Sequence, residues 1–249
     1  MNALSAELIK LKRSLTWAIV VLLPSVVVLA GAATQLAEGR QPANGWETVW
    51  LQSVGFYGLF PLAVGIAVLG SLVWRVEHRG SNGDALMSGP TSTLRIVVAK
   101  AAVVAGLTAT MQVVLLAAVV VIGKGAFGLP GMLPGEYVAV TGLLVLATIP
   151  VAVVQSGLSM LLRSFAAPVA VALIASGIST ATLMAVGDAA LVSPSGVATR
   201  TALLGTGSFV DDGTVTDGDV GAILTATGVL TVALVALTTW VLDHRDTRT

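Results

Sequence analysis

Long apolar runs separated by short polar breaks make up nearly the whole chain. Six runs reach about 18 residues or more, the length that crosses bilayer hydrocarbon as a helix. They are Thr16–Ala33, Val54–Trp74, Ile96–Ile122, Val138–Leu162, Ala166–Val186 and Ala222–Leu242. A closed barrel requires short segments of alternating polarity, whereas Val113–Ile122 (VVLLAAVVVI) is apolar on every helical face. The pattern therefore predicts an all-α membrane protein with six transmembrane helices in a single domain spanning residues 1–249.

Ahead of the first run, Leu4, Leu8, Leu11 and Leu15 recur at i, i+4, i+7 and i+11, with Lys10 and Arg13 off that stripe. This is the pattern of a helix lying flat on a membrane surface, predicted over residues 1–15. The basic segment, apolar core and small-residue run Ala30–Ala33 imitate a cleaved signal peptide. The leucine stripe is too organised for a simple charged leader, so the first run is expected to be retained.

Composition agrees with a lipid environment: 55% of residues are hydrophobic, 10% are charged, and mean hydropathy is +0.93. Charge then orients the chain, because Lys and Arg resist translocation. With six spans, Lys10, Lys12, Arg13, Arg75, Arg79, Arg95, Lys100, Arg163, Arg245 and Arg248 share one side; Arg40, Lys124 and Arg200 lie opposite. Both termini are thus expected in the cytoplasm. Trp17, Trp74 and Trp240 fall at the inner ends of spans and Trp46 and Trp50 at the outer ends, as interfacial indoles do.

Candidate chemistry is sparse. The chain has no cysteine, which excludes disulfides and thiol catalysis, and its two histidines, His78 and His244, are far apart and read as solvated loop residues. No Walker sequence occurs; Gly123-Lys124-Gly125 lacks the spacing and the hydroxyl residue, so nucleotide hydrolysis must come from another polypeptide. The chain itself is therefore read as non-catalytic, with no cofactor or metal of its own and no nucleic-acid partner. Lys100 lies about a turn inside the third span, where it is expected to snorkel to the interface. Gln112 and Gln155 are the deep polar side chains, either bonded between helices, the favoured reading, or lining a pathway. A proton-coupled carrier would ordinarily need an acid or histidine in mid-span, and none is present.

The glycines of the second run, among them Gly55, Gly58, Gly65 and Gly70, suit close helix packing or a dimer face. Pro24, Pro61, Pro150 and Pro168 are either hinges or passive. On the outer side, Gly187–Gly221 is long and polar, with a weakly apolar patch, Val197–Leu204, that is either a short helix dipping toward the membrane or a flexible loop.

One polar island, Arg75–Arg95, interrupts the apolar pattern on the basic side. Asn82-Gly83 and Gly89-Pro90 are turn signals, and Asp84–Ser88 between them is long enough for about a turn and a half of helix, with Asp84 as cap. Such a helix presents Leu86 and Met87 beside Glu77, Arg79, Asp84 and Arg95, either as a docking knob for a soluble partner or as a plain connector.

Taken together, an N-terminal AELIKLKRS helix, six spans, and a loop running Glu77, a glycine-bearing turn, Leu86, Pro90, Arg95 and Lys100 resemble type-2 ABC exporter permeases. The chain length and the spacing of these positions are similar to the lantibiotic-immunity and bacteriocin-resistance branch, in which drug resistance is a related role. The resemblance implies a half-transporter in the bacterial cytoplasmic membrane: two permease copies, or siblings, with cytoplasmic ABC ATPase subunits that bind ATP and Mg. It also implies a coupling helix at about Gly83–Ser92, with Glu77 as the acidic position that opens the loop and Pro90 as its proline. Met1–Ser14 would be the connecting helix, and the segment around Pro194 a re-entrant region. Asp84-Ala85 stands where many relatives carry an aromatic or basic residue before the leucine. The expected function is export of an amphipathic or hydrophobic substrate such as a peptide, drug or lipid. A stand-alone carrier or channel, and a non-transporting scaffold or sensor subunit, are the alternatives.

Overall fold

The computed structural model of the chain describes residues 15–78, 92–162 and 164–245, and every regular element among them is helical. Helix α1 is Thr16–Glu38; α2 is Trp46–Leu59, with its middle turn, Leu51–Gly55, widened to π spacing; α3 is Pro61–His78. Then come α4 (Thr93–Gly125), α5 (Gly135–Ala147), α6 (Ile149–Leu161) and α7 (Ala166–Val186). A 3₁₀ turn at Gly187–Val192 leads to α8 (Pro194–Leu203), and α9 (Asp217–Arg245) closes the chain.

Among the described residues, five segments are long and apolar enough to cross a membrane unaided, and the bent pair α2–α3 brings the number to six if it is one broken span. The predicted Met1–Ser14 surface helix lies outside the described residues. Counted as six crossings, both ends of the described chain share one end of the bundle with the end of α3 and the start of α4, which flank residues 79–91. This is called the loop end below.

The second span differs from the single straight helix expected over Val54–Trp74. It starts at Trp46 and bends by 52° between Leu59 and Pro61. Pro61 has no N–H to donate and crowds the residue before it, and Phe60 accordingly leaves helical geometry at φ −135°. The other prolines are quieter. Pro150 and Pro168 sit in the first turns of α6 and α7, where N–H groups lack intrahelical partners anyway, and Pro24 is carried within α1.

Helix α8 packs against the first half of that bent span, α2. Its start is set by Ser193, whose hydroxyl accepts from the Gly196 N–H at 3.0 Å, with Pro194 as the first helical residue. Residues Ser195 to Leu203 are all buried, so Val197–Leu203 belongs to a packed helix, with Leu204 as its C-cap, rather than to a flexible loop. Thr199 Oγ1 donates to the Gly58 carbonyl at 3.0 Å, and a side chain at Gly58 would collide with Ala202. At the other end of the span, a Cβ at Gly70 would lie 3.1 Å from the Gln155 carbonyl oxygen on α6. At these two positions the glycines serve packing within one chain.

The core runs the length of the bundle through Val28, Trp50, Ile66, Met111, Leu115 and Leu144. Trp50 stacks on Tyr137 with ring centroids 4.9 Å apart. Only part of the tryptophan expectation holds. Trp17 and Trp240 are exposed as lipid-boundary rings are, but Trp46, Trp50 and Trp74 are buried, because the bent second span folds them against neighbouring helices.

Candidate functional site

The last turns of α3 carry the chain into the 79–91 loop, and their side chains are unusually tied down. Ser71, Trp74, Arg75 and His78 recur at i, i+3, i+4 and i+7, which places them on one face; Glu77 follows Trp74 at three. On α6, Ser156 and Ser159 are three apart and meet that face. Trp74 Nε1 donates to Ser156 Oγ at 3.1 Å, and His78 Nε2 donates to the Ser159 carbonyl at 2.8 Å.

From the third span, Lys100 Nζ donates to Glu77 Oε1 at 3.0 Å. Both side chains are almost wholly buried, at 3% and 5% exposure. The ammonium also lies 4.9 Å from the centroid of the Trp74 ring, which supplies cation–π attraction. Spans two, three and four are thereby joined at one level. A buried pair of this kind is strongly destabilised by loss of either member, so it fixes the relative position of the helices that carry it.

Three readings change here. Lys100 does not snorkel to the interface, because Glu77 and Trp74 hold it inside the bundle. Glu77 opens the loop as expected, but it is buried against Lys100 rather than displayed on a solvated docking surface. His78 likewise ends α3 and bonds to α6 instead of standing in a loop. Arg95 is exposed in the first turn of α4. Arg79, Asp84, Leu86, Met87 and Pro90 lie outside the described residues.

Residues 3–179, the greater part of the chain, match the model of a family described as ABC-2 family transporter protein. The chain belongs to the ABC-2 transporter family. No curated protein and no solved structure matches it. The family's members are membrane permease subunits of ABC transporters that associate with an ATPase subunit, so this ABC-2 chain is a multi-pass permease subunit. The matched region covers the first four spans, the first part of the fifth and the loop-end network; α8 and α9 lie beyond it.

The two deep glutamines of this ABC-2 permease are both buried. Gln112 faces Tyr57 on α2, yet neither amide atom of Gln112 nor the Tyr57 hydroxyl closes a hydrogen bond. Trp50 Nε1 and Ser53 Oγ, on the same helix as Tyr57, are also unpartnered. Gln155 lines a cavity of about 420 Å³ between spans four, five and six and α8, and its Oε1 has no partner. Each unsatisfied buried group of this sort costs about 1–3 kcal/mol.

At the far end of the permease lies a cluster that sequence reading missed. Arg200 on α8 is buried and bonds three carboxylates: Nε to Asp188 at 3.0 Å, Nη1 to Asp211 at 2.9 Å and Nη2 to Asp219 at 3.0 Å. Asp211 is itself capped by the backbone N–H groups of Gly207 and Gly213. Burial works against the Arg200 charge, but the bonds to Asp188 and Asp211 outweigh it and hold its pKa above the ordinary arginine value. The signal available beforehand was a lone cation within an aspartate-rich segment, read only as an outer charge.

Proposed function

We propose that this permease is the membrane half of an ATP-driven exporter for an amphipathic or hydrophobic substrate, and that a separate cytoplasmic ATPase docks on the 79–91 loop. In this reading both termini and the loop face the cytoplasm, Gly83–Ser92 is the coupling helix, and Arg79, Asp84, Leu86, Met87 and Pro90 meet the ATPase. A second permease copy or a sibling completes the pathway. The lantibiotic-immunity or bacteriocin-resistance branch is the nearest functional setting.

The observation that carries the proposal is the buried Lys100–Glu77 bond at the root of the loop. With the Trp74–Ser156 and His78–Ser159 bonds, it makes the loop's base continuous with spans two, three and four. A displacement delivered to the loop then moves those spans as a body, which is what rigid-body transmission requires. The Pro61 bend, with α8 packed against its first half, is a second point at which such a movement changes the shape of the bundle.

Flux measurements in liposomes test this reading. The permease with its ATPase is expected to move an amphipathic peptide or drug only when ATP is supplied. Flux by the permease alone would instead identify a stand-alone carrier or channel, and absence of flux under both conditions a scaffold or sensor subunit.

A further inference from the structure

A cavity of about 520 Å³ opens at the loop end, between the last two turns of α3 and the junction of α6 with α7. It does not enclose the Lys100–Glu77 pair; its walls are Ser71, Arg75, His78, Ser159, Ser164 and Phe165, with Leu162. Arg75 is exposed there and makes no ion pair among the described residues, where the nearest acid in sequence, Glu77, is engaged by Lys100. The hydroxyls are loosely held: Ser71 Oγ reaches Ser159 Oγ and the Phe165 carbonyl only at 3.4 Å each.

A guanidinium with no counter-ion among the described residues, beside buried hydroxyls with weak bonds, is arranged for an oxyanion. Arg engages phosphate through two parallel N–H bonds, and the remaining phosphate oxygens can accept from serine hydroxyls. The rim is apolar, because Leu162 lines it and Phe165 is 46% exposed beside it. That combination, at the end of a membrane span, fits a phosphate joined to an acyl chain better than a free ion.

We propose that this cavity is a phosphate site filled by the headgroup of an anionic phospholipid from the leaflet at the loop end, with Arg75 as its charged contact. The assignment does not depend on which molecule the permease exports.

The test is native mass spectrometry of the full purified chain with phosphatidylglycerol or phosphatidylcholine at equal concentration, alongside equilibrium dialysis with labelled inorganic phosphate. The expected result is preferential retention of phosphatidylglycerol. Arg75→Gln should reduce it about tenfold, as loss of one charge-assisted contact does, leaving the phosphatidylcholine adducts unchanged. Arg75→Lys, which keeps the charge, should retain an excess over phosphatidylcholine, and Arg40→Gln at the opposite end should behave as the parent. Phosphate binding lost in Arg75→Gln, without lipid preference, would support the anion site and assign it a soluble source. Equal retention of both lipids together with no Arg75-dependent phosphate binding would overturn the proposal.

Discussion

Lys100 and Glu77 meet at 3.0 Å inside the bundle, at the point where the second span hands the chain to the 79–91 loop. Removing one partner deprives the other buried charge of this bond, at a cost of about 3–5 kcal/mol. Glu77→Gln and Lys100→Met should each lower thermal stability in detergent by that order. The double variant should recover most of the loss, because no lone charge remains. Additive losses in the double variant would show that the two side chains do not act as a pair.

Arg200 offers a parallel case at the opposite end. Arg200→Gln strands Asp211, whose side chain is only 1% exposed, and frees α8 from α9. A loss of about 3–5 kcal/mol is expected in the same unfolding assay. Arg40→Gln removes an exposed pair with Glu38, at 74% and 52% side-chain exposure, and should change stability by less than about 1 kcal/mol. Equal effects of the two substitutions would contradict the burial argument.

Gln112 should respond in the opposite sense. Both of its amide atoms are buried without partners, so Gln112→Met, which keeps the side-chain length, should be neutral or stabilising by about 1 kcal/mol. A destabilisation larger than about 1 kcal/mol in thermal unfolding would mean that the amide is satisfied in the folded protein, for instance by buried water.

Packing at the bend gives a fourth outcome. Gly58→Ala forces a methyl against Ala202 and should cost about 1–3 kcal/mol. Gly142→Ala adds a methyl in open space on α5 and should stabilise by about 0.5–1 kcal/mol through helix propensity. Thermal shifts of the same sign for both would reject the close contact between α2 and α8.

Hydrophobic run length alone located five apolar helices long enough to span and the region of the bent pair α2–α3, because each span must present apolar surface to lipid or to its neighbours over its whole length. Boundaries were less legible. The charged and polar turns at the ends of α4 and α9 continue the helix beyond the apolar window, and the π turn at Leu51–Gly55 extends the second span back to Trp46. The polar pairings were not legible at all. Lys100 and Glu77 are separated by 23 positions and Trp74 and Ser156 by 82, so no local pattern announces either. The i, i+3, i+4, i+7 recurrence of Ser71, Trp74, Arg75 and His78 was visible in principle, as a polar stripe on the end of an apolar helix. Arg200 was misread because its three aspartates come from three different segments brought together only by the fold.

The most direct test of the central claim is copurification of the permease with its coexpressed ATPase subunit. Leu86→Asp should abolish association and ATPase stimulation while the variant still inserts in the membrane and elutes as a single species. Glu77→Gln should leave association intact but weaken stimulation. Undiminished association and ATP-dependent transport in Leu86→Asp would contradict the account.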